Sequence, residues 1–123
     1  MLGEKPVVMD VAAEYQKGFQ LRCEGNYREA KQVLGTVLAQ DPAHVEALWQ
    51  VALIKGFEGD FEGSLVDLQS LVTAHPDSVP IRYDLAMTQM MLGMVDEACA
   101  NFHEVLRLDP GNQNAQKQVS YCP

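Results

Sequence analysis

The stretch GDFEGSLVDLQSLVTAHP (residues 59–76) reads as one helix held between a glycine turn and a proline stop. Its apolar residues, Phe61, Leu65, Leu68, Leu71 and Val72, recur at three and four residues, the spacing of one helical face and not of a strand. Gly59 supplies the left-handed backbone that closes the preceding helix. Pro76 ends the helix, or opens the next at its first turn, where a missing N–H costs little. The same pattern stands 34 residues earlier, as GNYREAKQVLGTVLAQDP (25–42), and 34 residues later, as GMVDEACANFHEVLRLDP (93–110).

Further columns keep this period. Gly18, Ala52 and Ala86 are small, as are Ala30, Ser64 and Ala98. Leu34, Leu68 and Phe102 are large, as are Leu38, Val72 and Leu106. Small residues let the two helices of a hairpin touch, and the large ones fill the space between consecutive hairpins. A single hairpin cannot bury its apolar face, so stacked copies must share one core. The register divides the chain into a lead-in over 1–10, repeats over 11–44, 45–78 and 79–112, and a partial capping helix over 113–123. Helices are expected over 7–23, 27–40, 43–57, 61–74, 78–92 and 95–108, with no strand. Ala115, Val119 and Cys122 share one side of the last segment, which reads equally as a cap or as the start of another repeat in a longer array.

These columns resemble the tetratricopeptide repeat (TPR): a small residue in helix one, Gly then Tyr or Phe at the turn, Ala in helix two, Pro at the close. The resemblance covers 11–112 and implies an all-α, right-handed α-solenoid of three helix-turn-helix repeats. Lys55 and Gln89 depart from it, since a bulky apolar residue is commoner there; burial of their side-chain stems is the expected accommodation.

The resemblance also implies that the first helices line a concave groove that takes a segment of another protein. Independently, residues four apart share a helix face. Tyr15, Phe19 and Arg22, then Trp49, Leu53 and Phe57, then Tyr83, Met87, Met90 and Met91 give three first helices an apolar, aromatic-rich wall. Such a wall suits a peptide anchor better than idle surface. The expected function is therefore a non-catalytic module binding an apolar or amphipathic segment. Self-assembly, a fragment of a larger scaffold, or a small secretion-type chaperone are the alternatives. A clamp for acidic C-termini does not fit, because Tyr15 and Phe19 stand where such clamps carry polar and basic residues.

Charge refines the partner. Nine Lys and Arg against seventeen Asp and Glu give a net charge of −8, which opposes phosphate-backbone binding. Repeat two holds six acids (Glu46, Glu58, Asp60, Glu62, Asp67, Asp77) and the single base Lys55. A partner with basic flanks would be steered there. No apolar run reaches the length of a membrane span, so a cytoplasmic protein without membrane insertion is expected. No nucleophile, phosphate-loop or metalloprotease motif occurs. No cofactor and no metal are expected: the cluster Met87, Met90, Met91 and Met94 reads as adaptable apolar packing, and Cys99 with His103 supplies only two ligands. Cys23, Cys99 and Cys122 read as small buried residues in a reducing compartment, and His44 and His75 as solvated turn residues.

Overall fold

A computed structural model describes residues 10–123. Among them lie seven helices and no strand: α1 (Val11–Cys23), α2 (Tyr27–Gln40), α3 (Val45–Phe57), α4 (Phe61–Ala74), α5 (Val79–Met91), α6 (Val95–Leu108) and α7 (Gln113–Val119). The expected all-α helical-repeat class holds. The expected first helix start at residue 7, and most of the lead-in, lie outside the described residues.

Each boundary follows from its local sequence. Gly25, Gly59 and Gly93 have φ of 82°, 92° and 77°, and they alone among the described residues take positive φ. Each ends a helix with the same paired bonds. Asn26, Asp60 and Met94 donate their amides to Leu21, Lys55 and Gln89 carbonyls, while the glycine amides reach Arg22, Gly56 and Met90. That is the Schellman closure, and it satisfies carbonyls a helix end would leave bare. Pro42, Pro76 and Pro110 follow the C-caps Asp41, His75 and Asp109 and lie outside any helix. The next helix starts three residues later, after His44, Ser78 and Asn112, whose amides bond back to the C-cap carbonyls at 3.1 Å. The Asp10, His44 and Asn112 side chains accept from the third helical amide at 3.2, 3.0 and 2.9 Å. His44 is thus not the solvated turn residue expected. It caps α3, and its ring lies 5.2 Å from that of Tyr15. His75 is exposed, as expected.

The chain forms two compact units, Met1–Gln50 and Val51–Pro123, with the division inside α3. In the first, α1 packs on α2. A Cβ added at Gly18 would stand 2.8 Å from Leu34 Cγ and Cδ2. Leu34, expected to fill space between hairpins, therefore fills the space inside its own.

In the second unit α4 packs on α5, α5 on α6 and α6 on α7. The small columns Ala52, Ala86, Ser64 and Ala98 are buried, as are Leu68 and Phe102. The departures at Lys55 and Gln89 have a better account than stem burial. Lys55 Nζ bonds Asp67 Oδ2 at 2.6 Å, joining α3 to α4. Gln89 Oε1 accepts from Asn101 Nδ2 at 2.7 Å, joining α5 to α6, and Asn101 Oδ1 accepts from Arg82 at 2.9 Å. Both pairs span twelve residues at equivalent positions of two hairpins. The first hairpin places Leu21 and Val33 there. The same two repeat positions thus hold an apolar, an ionic and an amide pair in turn.

The reading of all three cysteines as unpaired buried residues is corrected. Cys99 and Cys122 are joined by a disulfide, with a Cα–Cα distance of 5.9 Å, and Cys23 is free and exposed. The odd count and wide spacing concealed the pair, because α7 folds back onto α6 and closes 23 residues of sequence.

Candidate functional site

In the second unit the face shared by α3, α4 and α5 encloses a pocket of about 280 Å³. Leu53, Gly56 and Phe57 line it from α3, Phe61 and Ser64 from α4, and Tyr83, Asp84, Met87, Thr88 and Met91 from α5. The helix period produces this lining: residues 53 and 57, and 83, 87 and 91, are one turn apart on each first helix. Its floor is fixed. The Tyr83 ring packs edge-on to buried Phe102 at 5.7 Å, and Met87 rests on the core of Ala86, Ala98 and Phe102. Its rim is open, with Phe57 54% and Met91 62% exposed. Such large apolar side chains in water are costly unless covered on binding. The volume falls just below the ~300–1,000 Å³ of small-molecule sites, so it admits one or two side chains.

The electrostatics are one-sided. Asp84 is the ionisable carboxylate in the lining. Glu58, Asp60 and Glu62, beside Phe57 and Phe61, are exposed, and no Lys or Arg occurs between Lys55 and Arg82. Lys55 is already held by Asp67. Asp60 also caps α4, its carboxylate accepting from the Gly63 amide at 2.8 Å.

In the first unit the sequence-derived residues form a different cluster. The Tyr15 and Phe19 rings are 6.2 Å apart, and the Arg22 guanidinium lies 5.2 Å over the Phe19 ring. Arg22 Nε donates to Gln50 Oε1 at 2.7 Å. Partial burial, with the Glu46 charge adding to it, raises the Tyr15 phenol above its ordinary value. Tyr15, Phe19, Arg22 and Trp49 are all half-buried.

Of the ten sequence-derived residues, Leu53, Phe57, Tyr83, Met87 and Met91 meet at the pocket. Met90 does not; it packs against the Ala86, Ala98 and Phe102 core. Met94, from the same methionine cluster, is the N-cap of α6. Gly56, Phe61, Ser64, Asp84 and Thr88 were missed. Phe61 belongs to the turn column with Tyr27 and Val95, and its aromatic side chain beside Phe57 was the available signal. Asp84 and Thr88 adjoin Tyr83 and Met87, and nothing in the sequence distinguishes them. Among the described residues no group of three or more His, Cys, Asp or Glu is arranged to hold a metal. Cys99 is bonded to Cys122 and unavailable as a ligand with His103. No helix of the described residues is long and apolar enough to cross a membrane.

Comparison with known proteins fits this architecture. The tetratricopeptide-repeat family profile matches residues 82–112, the third hairpin. MamA from Desulfovibrio magneticus RS-1 superposes with a TM-score of 0.80 at 21% identity, covering 91% of this chain and 63% of that one. This chain thus spans less than two thirds of that relative. The second TPR domain of human RPAP3, solved with an HSP70 peptide, gives 0.78 at 23% identity over 89% of this chain and 92% of that domain. The Yersinia enterocolitica type III secretion chaperone SycD, solved with a peptide of the translocator YopD, gives 0.81 at 11% identity over 94% and 95%. No curated protein matches the sequence. One tetratricopeptide repeat is thus recognised over residues 82–112, and the all-α helical-repeat fold is shared with these solved structures.

Proposed function

We propose that this chain is a non-catalytic protein-interaction module whose second unit binds an apolar segment of another protein that carries basic flanks. The observation behind this reading is the pocket between α3, α4 and α5, with an aromatic and thioether wall and carboxylates around it. Apolar burial supplies the affinity, and the acidic rim selects a partner with Lys or Arg beside the anchor. Similar folds solved with bound peptides support peptide binding in general. The acidic peptide of the RPAP3 complex, SGPTIEEVD, is a poor match for this rim. Tyr15, Phe19, Arg22 and Trp49 are proposed as a separate contact face of the first unit. The repeat limits 11–44, 45–78 and 79–112 belong to the same proposal, as does a cytoplasmic location.

Calorimetry with a synthetic helical peptide tests this. Its Phe and Leu anchors are flanked by Lys, and a control carries Glu in place of Lys. The Lys peptide should bind about tenfold more tightly or better, a difference that shrinks as salt rises. Phe57→Ala or Met91→Ala should weaken it; both side chains are exposed, so neither variant should disturb folding. Equal binding of the two peptides, or no effect of either variant, would overturn the reading.

A secretion-type chaperone is the second reading. SycD, 95% of which this chain covers at 11% identity, favours it.

A further inference from the structure

We propose that the Cys99–Cys122 disulfide is a reversible latch holding α7 on the α5–α6 hairpin, and that a dithiol reductant opens it. Three observations carry this. First, α7 has seven residues, well under the ~12–15 that a helix needs to persist unaided in water. Second, its hold on the rest of the chain is slight. Ala115 is its one buried residue, and Val119 reaches the Ala86, Ala98 and Phe102 core, while Gln113, Asn114, Gln116 and Lys117 face solvent. The hydrogen bonds from Asn112 to Asp109 and from Gln116 to the Pro110 carbonyl stay within the segment and its own turn. They shape α7 without fastening it. Third, the covalent link lies beyond the far end of α7, so Cys122 closes a loop whose opposite end is the Asp109–Asn112 turn. The disulfide is therefore the fastening that keeps a weak helix seated.

The chemistry balances. A thiolate of the dithiol attacks Cys122 Sγ, which is half-buried, whereas Cys99 is only 8% exposed. The S–S electron pair leaves on Cys99, which takes a proton. The second thiol of the reductant resolves the mixed disulfide, frees Cys122 as a thiol and leaves the reductant as its own disulfide. Two electrons and two protons pass to the protein. In a reducing compartment disulfides of this kind serve mostly as transient or sensing bonds. Opening uncovers the end of the last hairpin, where Val119 had covered the Phe102 core. The latch thus sets whether that apolar end is open to another molecule.

Hydrogen exchange read by mass spectrometry tests the latch on the whole chain. Protein oxidised with glutathione disulfide is compared with the same protein after dithiothreitol, and after re-oxidation. Amides of residues 113–120 should exchange about tenfold faster or more on reduction and regain protection on re-oxidation, while α5 and α6 keep theirs. The Cys122→Ser variant should match reduced wild type without added reductant. Exchange in 113–120 that changes by less than about twofold between the two states, or free Cys99 and Cys122 thiols after oxidation, would overturn the proposal. The wild-type comparison stands even if the variant fails to fold.

Discussion

Gly18 illustrates how one position weighs two opposed effects. In an exposed helix interior, replacing Gly by Ala gains about 1 kcal/mol of helix propensity. Here the added methyl meets Leu34 Cγ at 2.8 Å, and Leu34 is fully buried, so its branch point has nowhere to move. Overpacking of this kind costs about 1–3 kcal/mol. Gly18→Ala should therefore destabilise the protein by about 1 kcal/mol net, read from urea denaturation, although the equivalent positions hold Ala52 and Ala86. A gain in stability would show that Leu34 yields. The sequence revealed that this column must be small. It could not reveal that the first copy needs the smallest residue, because that depends on where the Leu34 branch stands.

At the scale of the element, the hairpins are held by interchangeable contacts. Lys55 and Asp67 bind across α3 and α4, where the next hairpin uses Gln89 and Asn101. Both charged side chains are about one third exposed, so water screens the pair and its worth is about 0.2–1 kcal/mol. A double-mutant cycle with Lys55→Leu and Asp67→Val should return a coupling of about 0.5 kcal/mol in urea unfolding, with the double variant recovering part of the single-variant losses. Strict additivity would deny the contact. Helix ends were largely legible in the sequence, because Gly25, Gly59 and Gly93 and the three prolines act through local backbone geometry alone. The cross-helix partners of Lys55 and Gln89 were not. They lie twelve residues away, on the facing helix, and only packing brings them together. The Cys99–Cys122 pair escaped for the same reason: its closeness depends on α7 folding back onto α6.

At the scale of the molecule, five of the ten sequence-derived residues meet at one pocket, and this followed from helical period and repeat register. The period says which residues share a face; it does not say how deep each one sits. Met87, Met90 and Met91 are near neighbours in sequence with different environments. Met87 lines the pocket, Met90 packs on the Phe102 core and Met91 is largely in water. Their methyl groups therefore report directly on whether the α3–α4–α5 face is the binding site. The deciding measurement is a methionine-methyl NMR titration with the Lys-flanked apolar peptide. The Met87 and Met91 signals should move with the peptide and saturate together, while Met90 and Met94 hold their positions. Saturable binding that leaves Met87 and Met91 unmoved would contradict this expectation and put the partner elsewhere on the chain.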